Sequence, residues 1–232
     1  MLMKRYQNER GYTHLNWLKS MHSFSFGDYY NPNHRGFASL RVINEDRVIP
    51  GAGFATHAHK NMEIISYVLK GALAHKDSMG NGSVIKSGDV QIMSAGTGVT
   101  HSEYNASDDE EVHFLQIWIT PNVQNELPTY QQKSFLFEEV HDRFHVVVSP
   151  DGEDNSLLIK QNARMLVGKF SKNNKTIVQT QLNHQYWLQM AQGIAEINGI
   201  TLSAGDGLAL QNEEMINIFS LTENNVLLFD LF

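Results

Sequence analysis

GAGFATHAHKNMEIISYVLKG, residues 51–71, carries an element and a chemistry in one stretch. Its second half, EIISYVL, is short, β-branched and aromatic, and ends at a glycine, which reads as a strand. Its first half places His57 and His59 two residues apart, and in an extended strand such residues point to the same face. GTGVTHSEYN, residues 96–105, repeats the device with His101 and Glu103. Two strands of this kind aim three imidazoles and a carboxylate at one point. With 11 histidines in the chain a single His-x-His means little, and the second pair carries the argument. Imidazoles with one carboxylate suit divalent iron, copper, manganese, nickel or zinc, whereas calcium and magnesium take mainly oxygen.

Working outward, short β-rich runs recur between Gly, Asn, Asp and Pro: FASLRVI, VQIM, HFLQIWI, FHVVVS, IAEI, INIFSL and VLLFDLF. Regular short strands with turn signals predict an all-β sandwich or barrel. NHQYWLQMAQ alone invites a helical reading, and Gly193 ends it. From residue 121 the pattern loosens into PNVQNELPTYQQKSFLFEEV, residues 121–140, which suits a linker between two β units. The expected domains are 1–130 and 140–232. GIAEINGITLSAGDGLALQ repeats the strand and turn grammar of GALAHKDSMGNGSVIKSGDVQIM, pointing to a structural duplication. The second copy has neither His-x-His nor His-x-Glu, so a metal site is expected in the first domain alone.

The 232 residues, 41% hydrophobic and 10% aromatic, are ample for buried cores. A formal charge of -7 without a Lys/Arg cluster argues against direct nucleic-acid binding. The absence of cysteine excludes disulfides, thiolate metal sites and cysteine nucleophiles. No apolar leader or run long enough to span a membrane is present, so a soluble, cytoplasmic protein is expected. No P-loop, dinucleotide fingerprint or G-x-S-x-G occurs, and Gly96 and Gly98 read as turn formers. His75 and Asp77 read either as groups supporting metal-bound imidazoles or as the start of a turn. His113 and Gln116 fall on opposite faces of their strand, so at most one looks inward; Gln116 shares its face with Phe114 and Trp118. The aromatic segment HSFSFGDYY with Trp17 reads as core or as the cover of a pocket mouth. The acidic run Asp108–Glu111 reads as a solvated turn.

The spacing G51-x5-H57-x-H59-x3-E63-x7-G71 resembles the first motif of the cupin superfamily, and G88-D89 through S94-A95-G96-T97-G98 to H101-x3-N105 resembles the second. NERG, HSFSF, YYNPN, GFASLRVIN, THAHKNMEIISYVLKG, HKDSMGN, QIMSAGTGVTHSEYN and LQIWI, in this order over residues 7–121, resemble the bacterial pirin family. The resemblance implies a bicupin of two jelly-roll β-barrels (double-stranded β-helices), with one metal in the first. Carried over residue by residue, the family's ligands fall on His57, His59, His101 and Glu103. In the wider cupin pattern Glu63, on the same strand face as His57 and His59, is the rival carboxylate. The implied metal is Fe(II) first, with Cu, Mn, Ni, Co or Zn as alternatives. The implied activity is quercetin 2,3-dioxygenase: oxidative ring cleavage of a flavonol by O2 with release of carbon monoxide, with Glu103 as general base. The alternative is a metal- and redox-sensing protein acting through a protein partner, and another cupin dioxygenase or isomerase uses the same ligands. A monomer is expected.

Overall fold

The computed structural model describes residues 1–135, 137 and 141–232. Two compact units result. The N-terminal unit comprises Gly11–Phe135 and Leu157–Gln161; the C-terminal unit comprises Met1–Arg10, the described part of 136–156 and Asn162–Phe232. The first twelve strands are β1 (Leu2–Arg5), β2 (Gly11–His14), β3 (Leu18–His22), β4 (Leu40–Val48), β5 (Gly53–His59), β6 (Glu63–Lys70), β7 (Ala72–Asp77), β8 (Gly82–Lys86), β9 (Asp89–Ser94), β10 (Val99–Asn105), β11 (Val112–Ile119) and β12 (Thr129–Ser134). The rest are β13 (Arg143–Ser149), β14 (Leu157–Leu158), β15 (Ala163–Phe170), β16 (Lys175–Gln179), β17 (Gln185–Gln192), β18 (Ile194–Ile197), β19 (Ile200–Ser203), β20 (Gly207–Gln211), β21 (Met215–Ser220) and β22 (Asn224–Leu231). Among the described residues only two short 3-10 turns, Gln7–Glu9 and Glu153–Asn155, interrupt this all-β chain.

In the N-terminal unit a seven-stranded antiparallel sheet, β12-β9-β6-β11-β4-β3-β2, faces a four-stranded one, β5-β10-β7-β8. The C-terminal unit repeats the order, with β1-β20-β17-β22-β15-β13 and β16-β21-β18-β19. The duplication is therefore one of topology as well as of turn grammar. The edge strand of each larger sheet comes from distant chain: β12 pairs with β9, and β1 with β20. Residues 129–134, expected as part of a linker, are thus the strand β12, while 136 and 138–140 of that stretch lie outside the described residues. The helical temptation at 185–192 resolves as β17, whose inward Tyr186, Leu188 and Met190 alternate with period two.

The interior of the N-terminal unit is layered along its strands. At one end Val68, Phe114, Val48 and Leu18 meet Leu73 and Ile85 of the opposite sheet. At the other, Ile64 and Met93 meet Ala95 and Val99, with Trp118 packed against them. Between these clusters, the middle positions of the larger sheet are polar: Gln91, Ser66, Gln116, Asn44 and His22 follow one another across five strands in register. The sheet thus presents a polar band, enclosed by apolar packing, to His101 and Glu103 of β10. Phe114, wholly buried at the apolar edge of this band, anchors it. Phe114→Ala is expected to cost about 3–5 kcal/mol, measured as the destabilisation of the N-terminal unit in urea.

Candidate metal centre

Strand β10 lies between β5 and β7, so its inward residues are flanked from both sides. His101 stands opposite His57 of β5 and Asp77 of β7, and Glu103 opposite Phe54 and His75. Between these two rungs β5 carries one residue more than β10, a bulge that locally interrupts the ladder. Gly53 permits the close approach beyond it: a Cβ there would lie 2.3 Å from the Glu103 carbonyl oxygen. His57 Nδ1 lies 2.8 Å from the Ala55 carbonyl at the bulge. Since a carbonyl only accepts, Nδ1 carries the hydrogen and Nε2 keeps its lone pair.

That Nε2 lies 3.1 Å from His101 Nε2. The rings of His57, His59 and His101 are 4.5–4.8 Å apart, centre to centre. His59 Nε2 is buried and has no hydrogen-bond partner. Two nitrogens at right angles on one ion, each about 2.1 Å from it, stand about 3.0 Å apart, so the spacing fits shared ligation. The protonation states fit as well. Burial, then the neighbouring His57, lowers the pKa of His59 to about 4. Burial, followed by the charges of His57, His59 and His75, lowers that of His101 to about 3. Both imidazoles are neutral at pH 7, the form that binds a metal.

Glu103, 2% exposed, is held from the opposite sheet. Gln116 Nε2 donates to its Oε2 at 2.6 Å, and Ser66 Oγ lies 3.1 Å from its Oε1 and 3.2 Å from Gln116 Oε1. Burial pushes its pKa up to about 7, against the Ser66 hydrogen bond and with the charge of Asp46 adding to the rise. The Ser66 hydroxyl has one hydrogen for two acceptors. With Glu103 protonated at Oε1 both can be satisfied, since the carboxyl donates to Ser66 and Ser66 donates to Gln116.

The structure therefore brings His57, His59 and His101 into one triad, and joins Glu103 to His101 in a second triad whose third member is His75. Glu63 belongs to neither; its Oε2 accepts from Ser94 Oγ at 2.7 Å and from the Lys160 backbone N–H at 3.2 Å. The turn reading of the His75–Asp77 segment is what the structure shows, and neither residue hydrogen-bonds the ring of His57, His59 or His101. Asp77 Oδ1 accepts from Met79 and Asn81 in a turn, while His75 Nε2 sits 3.1 Å from Asp77 Oδ2. Gln116 looks inward, whereas His113 pairs with Glu45 at 3.0 Å on the other face. Phe26 of the aromatic segment and Trp118 line a cavity of about 100 Å³ beside His57, His59 and Glu103. Phe24 of the same segment is core. The cavity's remaining wall, with Ser20, His22, Asn44 and Asp46, had no signal in the sequence beyond its strand parity. In the C-terminal unit no histidine stands on β16 or β21, the strands corresponding to β5 and β10.

The pirin family model matches residues 4–119, and that of the quercetinase C-terminal cupin domain matches residues 146–231. Quercetin 2,3-dioxygenase of Escherichia coli K12 is 44% identical over 231 residues, covering 100% of this chain and 99% of its own length. The chain belongs to the pirin family. A pirin-like protein of Caulobacter vibrioides is 37% identical over 215 residues, 92% of either chain. The bacterial pirin YhhW of Escherichia coli, in a crystal structure with nickel(II), superposes with a TM-score of 0.95 at 43% identity, over 100% of this chain and 99% of its own. The all-β, two-cupin architecture that the motifs imply is thus that of solved pirins. Among the described residues no helix is long and apolar enough to cross a membrane.

Asp46 gives the site a measurable titration. Burial raises its carboxyl pKa from 3.8 to about 7, opposed by a hydrogen bond from Ser20 and increased by Glu45. The folded state then holds the proton more tightly than the unfolded state, so stability falls as pH rises from about 4 towards 7, by at most ~1.4 kcal/mol per pH unit. Asp46→Asn is expected to raise the thermal midpoint more at pH 8 than at pH 5, as measured by parallel melts of the two proteins.

Proposed function

We propose that this protein is a metal-dependent quercetin 2,3-dioxygenase. The observation that carries the reading is the convergence of His57, His59 and His101 beside a cavity bordered by the buried Glu103. The similarity to the quercetin 2,3-dioxygenase of Escherichia coli, which extends over the full length, supports the substrate class. His57, His59 and His101 hold one divalent transition metal, with Glu103 as the fourth donor; iron is our first assignment, and nickel is the ion bound by the related YhhW. When bound, the metal supplies Lewis acidity toward the flavonol 3-oxygen and a path for electrons to dioxygen.

The chain's own work is positioning and proton transfer. The Ala55 carbonyl fixes the tautomer of His57, and burial keeps His59 and His101 neutral. Glu103 takes the 3-hydroxyl proton at Oε1, and the Ser66 hydrogen then turns to Gln116 Oε1, so the proton is held without leaving a buried acceptor unpaired. Phe26, Phe54 and Trp118 give the cavity flat apolar walls that suit an aromatic ring.

The test is aerobic loss of the quercetin absorbance band, with headspace carbon monoxide recorded, by protein loaded separately with Fe(II), Cu(II), Mn(II), Ni(II) or Co(II). His59→Ala is expected to lose metal and turnover together. Glu103→Gln is expected to retain metal while its turnover falls by about 10²- to 10⁴-fold, the usual contribution of a general base. Absence of turnover with every bound metal rejects the reading.

A further inference from the structure

The cavity has a second polar point that the metal does not need. Asp46 projects inward from β4, level with Ser20 on β3 and Phe114 on β11. It lines the same cavity as His57, His59 and Glu103. It is only 3% exposed, yet its Oδ1 has no hydrogen-bond partner. A buried acceptor left unpaired destabilises a fold, and this one borders a cavity whose occupant can pair it. The groups beside it are held in place: His22 Nδ1 lies 2.8 Å from Asn44 Oδ1, and His22 Nε2 2.9 Å from Thr13 Oγ1. Ser20 bridges the two groups, interacting with the Asp46 carboxyl and lying 3.4 Å from His22 Nδ1.

The fold itself does not require polarity at this level. In the C-terminal unit Leu228 of β22 stands opposite Leu188 and Leu166, where the N-terminal unit has Gln116 of β11 opposite Ser66 and Asn44; one level on, Val226 stands opposite Met190 and Gly168, where the N-terminal unit has Phe114 opposite Val68 and Asp46. Apolar walls flank the polar point in the N-terminal unit, with Phe26 and Trp118 meeting edge to face at 5.4 Å. The space of about 100 Å³ is smaller than the dry cavity of about 150 Å³ that holds benzene, so it takes no more than a single ring, with the side chains around it giving way. A larger aromatic would place one ring inside and leave the rest outside the cavity.

We propose that Asp46 reads the substrate, its carboxyl accepting a hydrogen bond from a ring hydroxyl distinct from the one that meets the metal. The protein then selects polyhydroxylated aromatics over rings with a single metal-seeking hydroxyl. This rests on the dioxygenase reading for the flavonol itself, but not for the single ring that fills the cavity.

The experiment measures binding, without oxygen, to the full chain loaded with nickel(II). Two probe pairs are compared: kaempferol with 3-hydroxyflavone, and resorcinol with phenol. In the wild type the polyhydroxylated member of at least one pair is expected to bind about tenfold more tightly, the usual worth of a matched buried hydrogen bond. Asp46→Leu, of similar volume, is expected to bring the two members to within about twofold at unchanged nickel stoichiometry. Asp46→Asn, which keeps a carbonyl acceptor, is expected to recover most of the preference. Preference in the resorcinol pair alone, lost in Asp46→Leu, upholds the role of Asp46 and rejects the flavonol. The proposal is overturned if the wild type shows no preference in either pair, or if the preference survives in Asp46→Leu.

Discussion

The rung that sets His57 opposite His101 is the constraint on which the site depends. It fixes two Nε2 atoms 3.1 Å apart, and everything nearby either makes that rung or tolerates it. The bulge on β5 supplies the carbonyl that orients His57, and Gly53 lets the strands close again beyond it. Three imidazoles so close together cannot all be charged, and burial keeps His59 and His101 neutral. The same crowding that would be a cost in an ordinary core is the requirement of a metal ligand set.

Around that rung the N-terminal unit gives up apolar packing along one row of its larger sheet and, one level on, at Asp46 and Ser20. Gln91, Ser66, Gln116 and Asn44 occupy the middle of strands whose inward residues toward the ends include Ile64, Val68, Met93, Phe114, Trp118 and Val48. The C-terminal unit, with the same strand order, fills that layer with leucine and methionine. Loss of the ligands and loss of the polar band go together there, as expected if the band exists to serve the site. The folding constraint is met by the apolar ends; the chemistry is confined to the middle.

Much of this was legible in the sequence because it is local. Period-two alternation identified the strands, and the residue pairs His57–His59 and His101–Glu103 share a face by that period alone. What stayed hidden is cross-strand register. Ser66 reaches Glu103 across 37 residues and Gln116 across 50, and no local pattern reports such pairings. His75 was ambiguous for a different reason: Asp77 both begins a turn and binds the imidazole, so the turn signal masked the second role. The strand β12 was hidden because its Thr129–Ser134 sequence is polar and mostly half-exposed, an edge strand without an apolar face. The place of β1 beside β20 is set by pairing over some two hundred residues, Leu2 with Leu210.

The central claim is that one transition metal sits on His57, His59 and His101. X-ray absorption at the metal edge of the reconstituted protein, with metal stoichiometry, tests it most directly. The account predicts one metal per chain, with nitrogen neighbours near 2.1 Å and the multiple-scattering signature of three imidazoles, falling to two with loss of affinity in His101→Ala. A metal environment and affinity unchanged in His101→Ala would contradict it.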